Sequence, residues 1–143
     1  MITTFLTRDD YPSKIDTSLM DQITGGDDTI LDAAEADAAS AIIDRLGARY
    51  KVADELTKSG DGRNRSLVRW MLNISVYFLY GRVPDNDIPE RVVKDYDDTL
   101  RDLEKIASGK LSCTIDRIMD SATGTVATKI RMGSNTPRSH NPY

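Results

Sequence analysis

Apolar residues recur along this chain in three blocks of helical period. In the first, Leu31, Ala34, Ala38, Ala41, Ile42 and Leu46 follow three-and-four spacing, the mark of a helix with one buried stripe. This predicts a helix from about Thr29 to Arg49, capped by Asp28 or Thr29 and ended at Tyr50. The stripe is rich in alanine, so another helix can approach closely. In the second block, Leu67, Met71, Ile74 and Phe78 form one stripe, with Val68, Leu72 and Leu79 beside it. Trp70, Tyr77 and Tyr80 occupy much of the remaining surface. A helix apolar on most sides is buried on most sides, so the segment from about Arg65 to Tyr80 reads as the central helix. In the third block, Val92, Val93, Tyr96, Leu100, Leu103 and Ile106 mark one face of a heavily charged helix. Pro89 sits in its first turn, Asp87 is the expected cap and Gly109 the residue just past its end. Glu90 with Lys94 and Asp97 with Arg101 have the favourable i,i+4 order for ion pairs.

The segments between these blocks are shorter. Residues 5–28 read as two short helical turns. Thr7 caps the first, Ser13 or Asp16 starts the second, and Gly25 and Gly26 stop it. The Ser59-Gly60-Asp61-Gly62 run signals a loop, with room for a helical turn around Asp54 to Thr57. Past Ser112 the texture changes. Thr125 to Met132 alternates in the manner of a strand, and the last residues are rich in Gly, Ser, Asn and Pro, which cannot form a core alone. The pattern therefore predicts an all-α fold: a small bundle of three long helices plus short N-terminal helices, with an extended C-terminal tail able to contribute a strand or hairpin. The expected division is a helical domain over residues 1–112 and a tail or docking arm over 113–143. Leu46, Met71, Ile74, Phe78, Tyr96, Leu100 and Leu103 are the expected core.

Composition narrows the function. The chain has 143 residues and net charge −4, one domain by length and a poor match to a protein that binds nucleic acid by neutralising phosphate. The charge is uneven. From Lys110 onward there are five cations and two anions, net +3, which leaves −7 for the rest. An acidic body with a basic tail suggests that the two parts meet different surfaces. Cys113 is the only cysteine, so there is neither an intrachain disulfide nor a thiolate cluster. The first residues lack the pattern of a secretory signal, and the apolar run from Trp70 to Tyr80 is too short to span a bilayer.

Candidate chemistry is sparse. Asp95, Asp98 and Asp102 share a helix face, but interspersed cations and the lack of a ligand loop favour a solvated acidic surface over a metal site. The stretch "GDGRN" (60–64) could cradle an anion, yet it has neither the spacing nor the lysine of a phosphate loop. A turn with Asn64 as helix cap accounts for it better. Arg63, Arg65 and Arg69 form a small basic group that suits DNA or the acidic residues of a neighbouring subunit. His140 is the only histidine, and no nucleophile has a positioned base. The expectation is a non-enzyme without cofactor, metal or catalytic residues.

Four stretches, "FLTRDDY", "GDDTILDAAEADAASAIIDRLGARY", "GRNRSLVRWMLNISVYFLYGR" and "IPERVVKDYDDTLRDLEKIASGK", occur in that order. Together they resemble the Mu-like family of tailed-bacteriophage head–tail connector, or adaptor, proteins, from Phe5 to about Ser112. The resemblance implies an all-α structural virion protein that forms a ring beneath the portal, repeats its twelvefold symmetry, and links the DNA-filled capsid to the tail. The implied partners are other copies of the chain, the portal protein and a downstream neck, stopper or tail protein. Viral DNA would pass through the channel without sequence-specific binding, and no membrane is involved. The implied location is the neck of the virion, with the host cytoplasm during assembly. Alternatives are another neck or tail-completion protein, or a nucleic-acid-binding regulatory helical module. The expected subunit contacts are Arg45, Arg49, Asp97 and Arg101 on the polar helix faces. Val126, Ile130, Arg131, Met132, Arg138 and Tyr143 are the expected partner-binding residues of the tail.

Overall fold

Asn64 opens the central helix in the computed structural model, which describes residues 5–83 and 87–119. Its side chain accepts from the Leu67 N–H, and the helix runs Arg65–Tyr80, the span that periodicity predicts. Four other α-helices surround or flank it. In chain order they are α1 (Thr17–Thr24), α2 (Asp28–Leu46), α3 (Val52–Glu55), the central α4 (Arg65–Tyr80) and α5 (Glu90–Ala107), with short 3-10 helices at Arg8–Ser13 and Gly60–Gly62. Tyr50 and Arg117 form an isolated antiparallel β-bridge. The fold is all-α, as expected.

α4 lies against both α2 and α5, and those two also meet each other. Ala34, Ala38 and Ala39 are buried on α2, and their small side chains let α4 approach closely. Leu67, Met71, Ile74 and Leu79 of α4 are fully buried, as are Leu46 of α2 and Leu103 of α5. Both polar interruptions of the α4 apolar run, Asn73 and Ser75, are also buried. Asn73 Nδ2 donates to Thr99 Oγ1 at 2.9 Å, a polar cross-link between α4 and α5 that fixes their register. Phe78, Tyr96 and Leu100, expected in the core, are instead half-buried at its edge.

The helix ends follow local chemistry. Asp16 caps α1 by accepting from Leu19 N–H, and Gly25 stops it in the left-handed conformation at φ 65°. Asp27, one residue before the expected caps Asp28 and Thr29, caps α2 by accepting from Thr29 N–H. α5 starts after Pro89, not at Asp87. Pro89 itself is the cap residue, with extended ψ 141° and no side-chain capping bond. At the other end, Gly109 has φ 85°. Its N–H donates to Ile106 O, and that of Lys110 to Lys105 O, so two of the last carbonyls of α5 are satisfied. The expected ion pairs on α5 are replaced by a different set. Asp98 accepts from Lys94 at 2.7 Å and from Arg101 at 2.8 Å, so one carboxylate serves both cations.

Residues just past Ser112, the start of the expected tail, return to the body. Lys51 N–H donates to Asp116 O at 2.8 Å and Ile118 N–H to Arg49 O at 2.9 Å. Ile115 is buried at 3 % exposure, and Asn64 Nδ2 donates to Thr114 Oγ1 at 2.7 Å. Truncation should therefore be sensitive to a few residues. A chain ending at Met119 keeps all of these contacts, whereas one ending at Ser112 loses Ile115 from the core. The expected difference is about 1.5–3 kcal/mol, read from urea melts of the two truncated chains.

Candidate functional site

Two polar or aromatic features stand out on this helical frame. The first is a buried polar cluster that seats the N-terminal segment. Thr7 opens the 3-10 helix Arg8–Ser13, and its backbone N–H donates to Asp10 Oδ2 at 2.8 Å. Asp10 also receives both terminal nitrogens of Arg63, at 2.6 and 3.1 Å. Arg63 further donates to Phe5 O at 2.8 Å and, through Nε, to Gly60 O at 2.9 Å. Its guanidinium lies 5.7 Å from the centre of the Phe5 ring. Burial pushes the Asp10 carboxyl up, but the bonds from Arg63 and Thr7 outweigh it and hold the group below the usual carboxylate range. One residue further on, Tyr11 is fully buried, and its hydroxyl donates to Glu35 Oε2 at 2.5 Å. Burial, together with the nearby Glu35 charge, raises the Tyr11 phenol well above its ordinary value. Burial also pushes Glu35 up to about 7, against the opposing hydrogen bond from Tyr11, and the nearby Asp32 and Asp10 charges add to the rise.

The second feature is an aromatic ledge where α4 meets α5. The Tyr77 and Tyr96 rings stack at 3.9 Å, tilted by 7°. Phe78 lies 6.0 Å from Tyr96 and 6.2 Å from Tyr77. All three rings are half-buried, and Leu100 and Ile88 are half-buried at the same core edge. Stacked and edge-on aromatic pairs add about 0.5–1.5 kcal/mol beyond the area they bury, so the ledge is a rigid surface.

The expected subunit-contact residues occupy different settings. Arg45 Nη1 donates to Ala41 O within its own helix at 3.0 Å, and its charge acts on Tyr96, which puts it at the rim of the aromatic ledge. Arg49 is turned inward, where its Nη1 donates to Ala107 O at the end of α5, 2.9 Å away. Asp97 is exposed, and Arg101 is paired with Asp98. Asp97 and Arg101 both line a groove on the outer face of α5 with Ile88 and Val93. The expected tail residues Val126, Ile130, Arg131, Met132, Arg138 and Tyr143 lie outside the described residues.

Of the basic group at the start of α4, Arg63 is committed to Asp10 with only 9 % of its side chain exposed, while Arg65 and Arg69 are exposed. Asp95 and Asp98 are engaged by Lys14 and by Lys94 with Arg101. Among the described residues, no group of three or more His, Cys, Asp or Glu side chains is placed to hold a metal ion, and no helix is long and apolar enough to cross a membrane.

The Glu35–Tyr11 pair was missed by sequence reasoning, although a signal was present. Glu35 falls four residues after Leu31 and three before Ala38, inside the stripe that packs inward. A carboxylate in such a position needs a buried donor.

A small all-α protein, pinned by a buried polar cluster and edged by an aromatic ledge, is the class that these features define. Residues 3–131 match the family described as Bacteriophage Mu, Gp36. The chain belongs to that family and is a bacteriophage protein. Comparison with curated proteins and with solved structures finds no match.

Proposed function

We propose that this chain is a structural protein of the phage particle, a head–tail connector adaptor that forms a ring beneath the portal and joins the DNA-filled capsid to the tail. The observation that carries this reading is the family match over residues 3–131, which spans the helical body and extends beyond it. In this reading the chain performs no catalytic step and needs no metal or cofactor. Its work is adhesion between copies and to its neighbours, the portal on one side and a neck or tail protein on the other. It would assemble in the host cytoplasm and remain in the neck of the virion.

The aromatic ledge and the groove on α5 supply surfaces of the right kind for contact between copies. Tyr and Phe give large rigid contact area at low entropic cost, and such aromatics are enriched at interfaces. Asp97 and Arg101 at the groove are exposed charges. Each pair formed there contributes only about 0–1 kcal/mol, so the ring would depend on many copies assembling on a template. DNA would pass along an acidic surface that does not retain it.

Cross-linking of purified particles followed by mass spectrometry tests the proposal. The expected result is links between copies of this chain, in ladders of many subunits, together with links to the portal. Finding single copies only, or no copies in finished particles, would overturn it.

A further inference from the structure

We propose that the N-terminal segment Phe5–Ile15 is a pH-responsive latch, fastened to the bundle through the buried contact between Tyr11 and Glu35 and loosened when Glu35 takes up charge. The segment carries its own apolar anchors, since Phe5, Leu6, Tyr11 and Ile15 are all buried. Its polar fastening rests on two acids with opposite arrangements. Asp10 is charged and compensated, with Arg63 bound to it in two places. Glu35 is 4 % exposed, and its hydrogen bond comes from a neutral donor, the Tyr11 hydroxyl.

The charged and titratable groups that act on Glu35 are few. Asp10 and Tyr11 face it from the N-terminal 3-10 helix and Asp32 from its own helix. From α4, Ser75 adjoins Tyr11 and brings no charge. The nearest strong cation of the cluster, Arg63, is already held by Asp10. An ionised Glu35 would thus sit in the interior beside two further carboxylates, with a phenol as its support. A buried charge without a counter-ion is strongly disfavoured, so the docked segment selects the protonated carboxyl. Opening the segment admits water to Glu35 and lets it ionise.

The sign follows from linkage. Docking holds the Glu35 proton more tightly than the open state does. The docked state is therefore favoured at low pH, and its advantage is lost as pH rises through about 7, in the direction opposite to an ordinary surface carboxylate. Between pH 6 and pH 8.5 the docking equilibrium should weaken by about tenfold. Opening exposes Phe5, Leu6, Tyr11 and Ile15 together with the part of α2 beneath them, so the device governs when an apolar surface is presented.

Amide hydrogen exchange on the intact chain, expressed as protection factors to remove the intrinsic pH effect, tests the latch. The reporters are the Lys14 and Ile15 N–H groups, which donate to Tyr11 O. Their protection should fall by about tenfold from pH 6 to pH 8.5, while α4 amides hold steady. Glu35→Gln keeps a near-isosteric acceptor for Tyr11 and should abolish the pH dependence with the segment still docked. Tyr11→Phe removes the donor that supports the carboxylate and should move the midpoint upward. The carboxyl carbon of Glu35, followed directly by NMR, should titrate near neutrality. Protection that is flat with pH in the parent chain overturns the proposal. So does an equal fall in α4, which would mean that the whole fold responds. A pH dependence that survives Glu35→Gln, or a Glu35 titration in the ordinary carboxylate range, would also overturn it.

Discussion

Arg63→Ala should destabilise the protein by about 3–5 kcal/mol, a loss that thermal or urea melts would read directly. Arg63 is 9 % and Asp10 12 % exposed in their side chains, so removing the cation leaves a carboxylate uncompensated in a mostly dry site. The same change frees Phe5 O and Gly60 O and removes the cover from the Phe5 ring. Asp10→Asn in the Arg63→Ala background removes the orphaned charge and should recover part of the loss. That double variant separates the two contributions. If the bidentate pair itself were the stabiliser, the second change would recover nothing. If the orphaned charge is the main cost, it recovers much of it. Asp10 also sets an acid limit. Its carboxyl is held below the unfolded range, so its contribution is present above that range and disappears as pH falls through the folded value.

The second large effect lies in α5. Leu103 is fully buried, while Leu100, less than one turn away, is half-buried. Leu103→Ala should cost about 2–5 kcal/mol through lost transfer energy and the cavity left behind. Leu100→Ala should cost distinctly less in the isolated chain, because solvent already reaches one side of it. Chemical denaturation of the two variants checks the order. Equal costs would mean that α5 is rotated about its axis from the position described. In assembled particles the ranking gains a further use. If Leu100 is covered by a neighbour, Leu100→Ala should weaken incorporation more than it weakens folding.

Much of the bundle was legible because its signals are local. Asn64 and the apolar run from Leu67 to Tyr80 define α4 without outside information, and Gly109 can end α5 because its backbone accepts a positive φ. Pro89 shows where local rules compete. Asp87 is a good cap by residue type, but the proline two residues later holds an extended ψ and the helix starts after it. The half-exposure of Phe78, Tyr96 and Leu100 was beyond the pattern. Periodicity locates the centre of a stripe, whereas the edge of burial depends on how closely the neighbouring helices approach. Ile115 was illegible for another reason. Its chain neighbours carry it to the body, Arg117 through the bridge to Tyr50 and Thr114 through the bond from Asn64, and nothing between residues 113 and 119 announces partners so distant in sequence. The motif residues of "FLTRDDY" were recognised as a pattern without their role. Phe5, Asp10 and Tyr11 turn out to form the seat of the N-terminal segment.

Arg49 sits where three separate parts of the chain meet. Its side chain holds Ala107 O at the end of α5, its own carbonyl receives Ile118 N–H, and its neighbour Tyr50 forms the bridge to Arg117. This arrangement has a mechanical consequence. A pull on the chain from beyond Met119 meets the body first at the bond from Ile118 to Arg49 and next at that from Lys51 to Asp116. Behind them stand the buried Ile115 and the bond from Asn64 to Thr114. Tension is therefore passed at one end of the bundle to the C-terminal end of α2 and to Asn64, the cap of α4, whose chain neighbour Arg63 holds Asp10 of the N-terminal segment. Strain at the C-terminal attachment thus arrives one residue away from the clamp that seats the N-terminal segment.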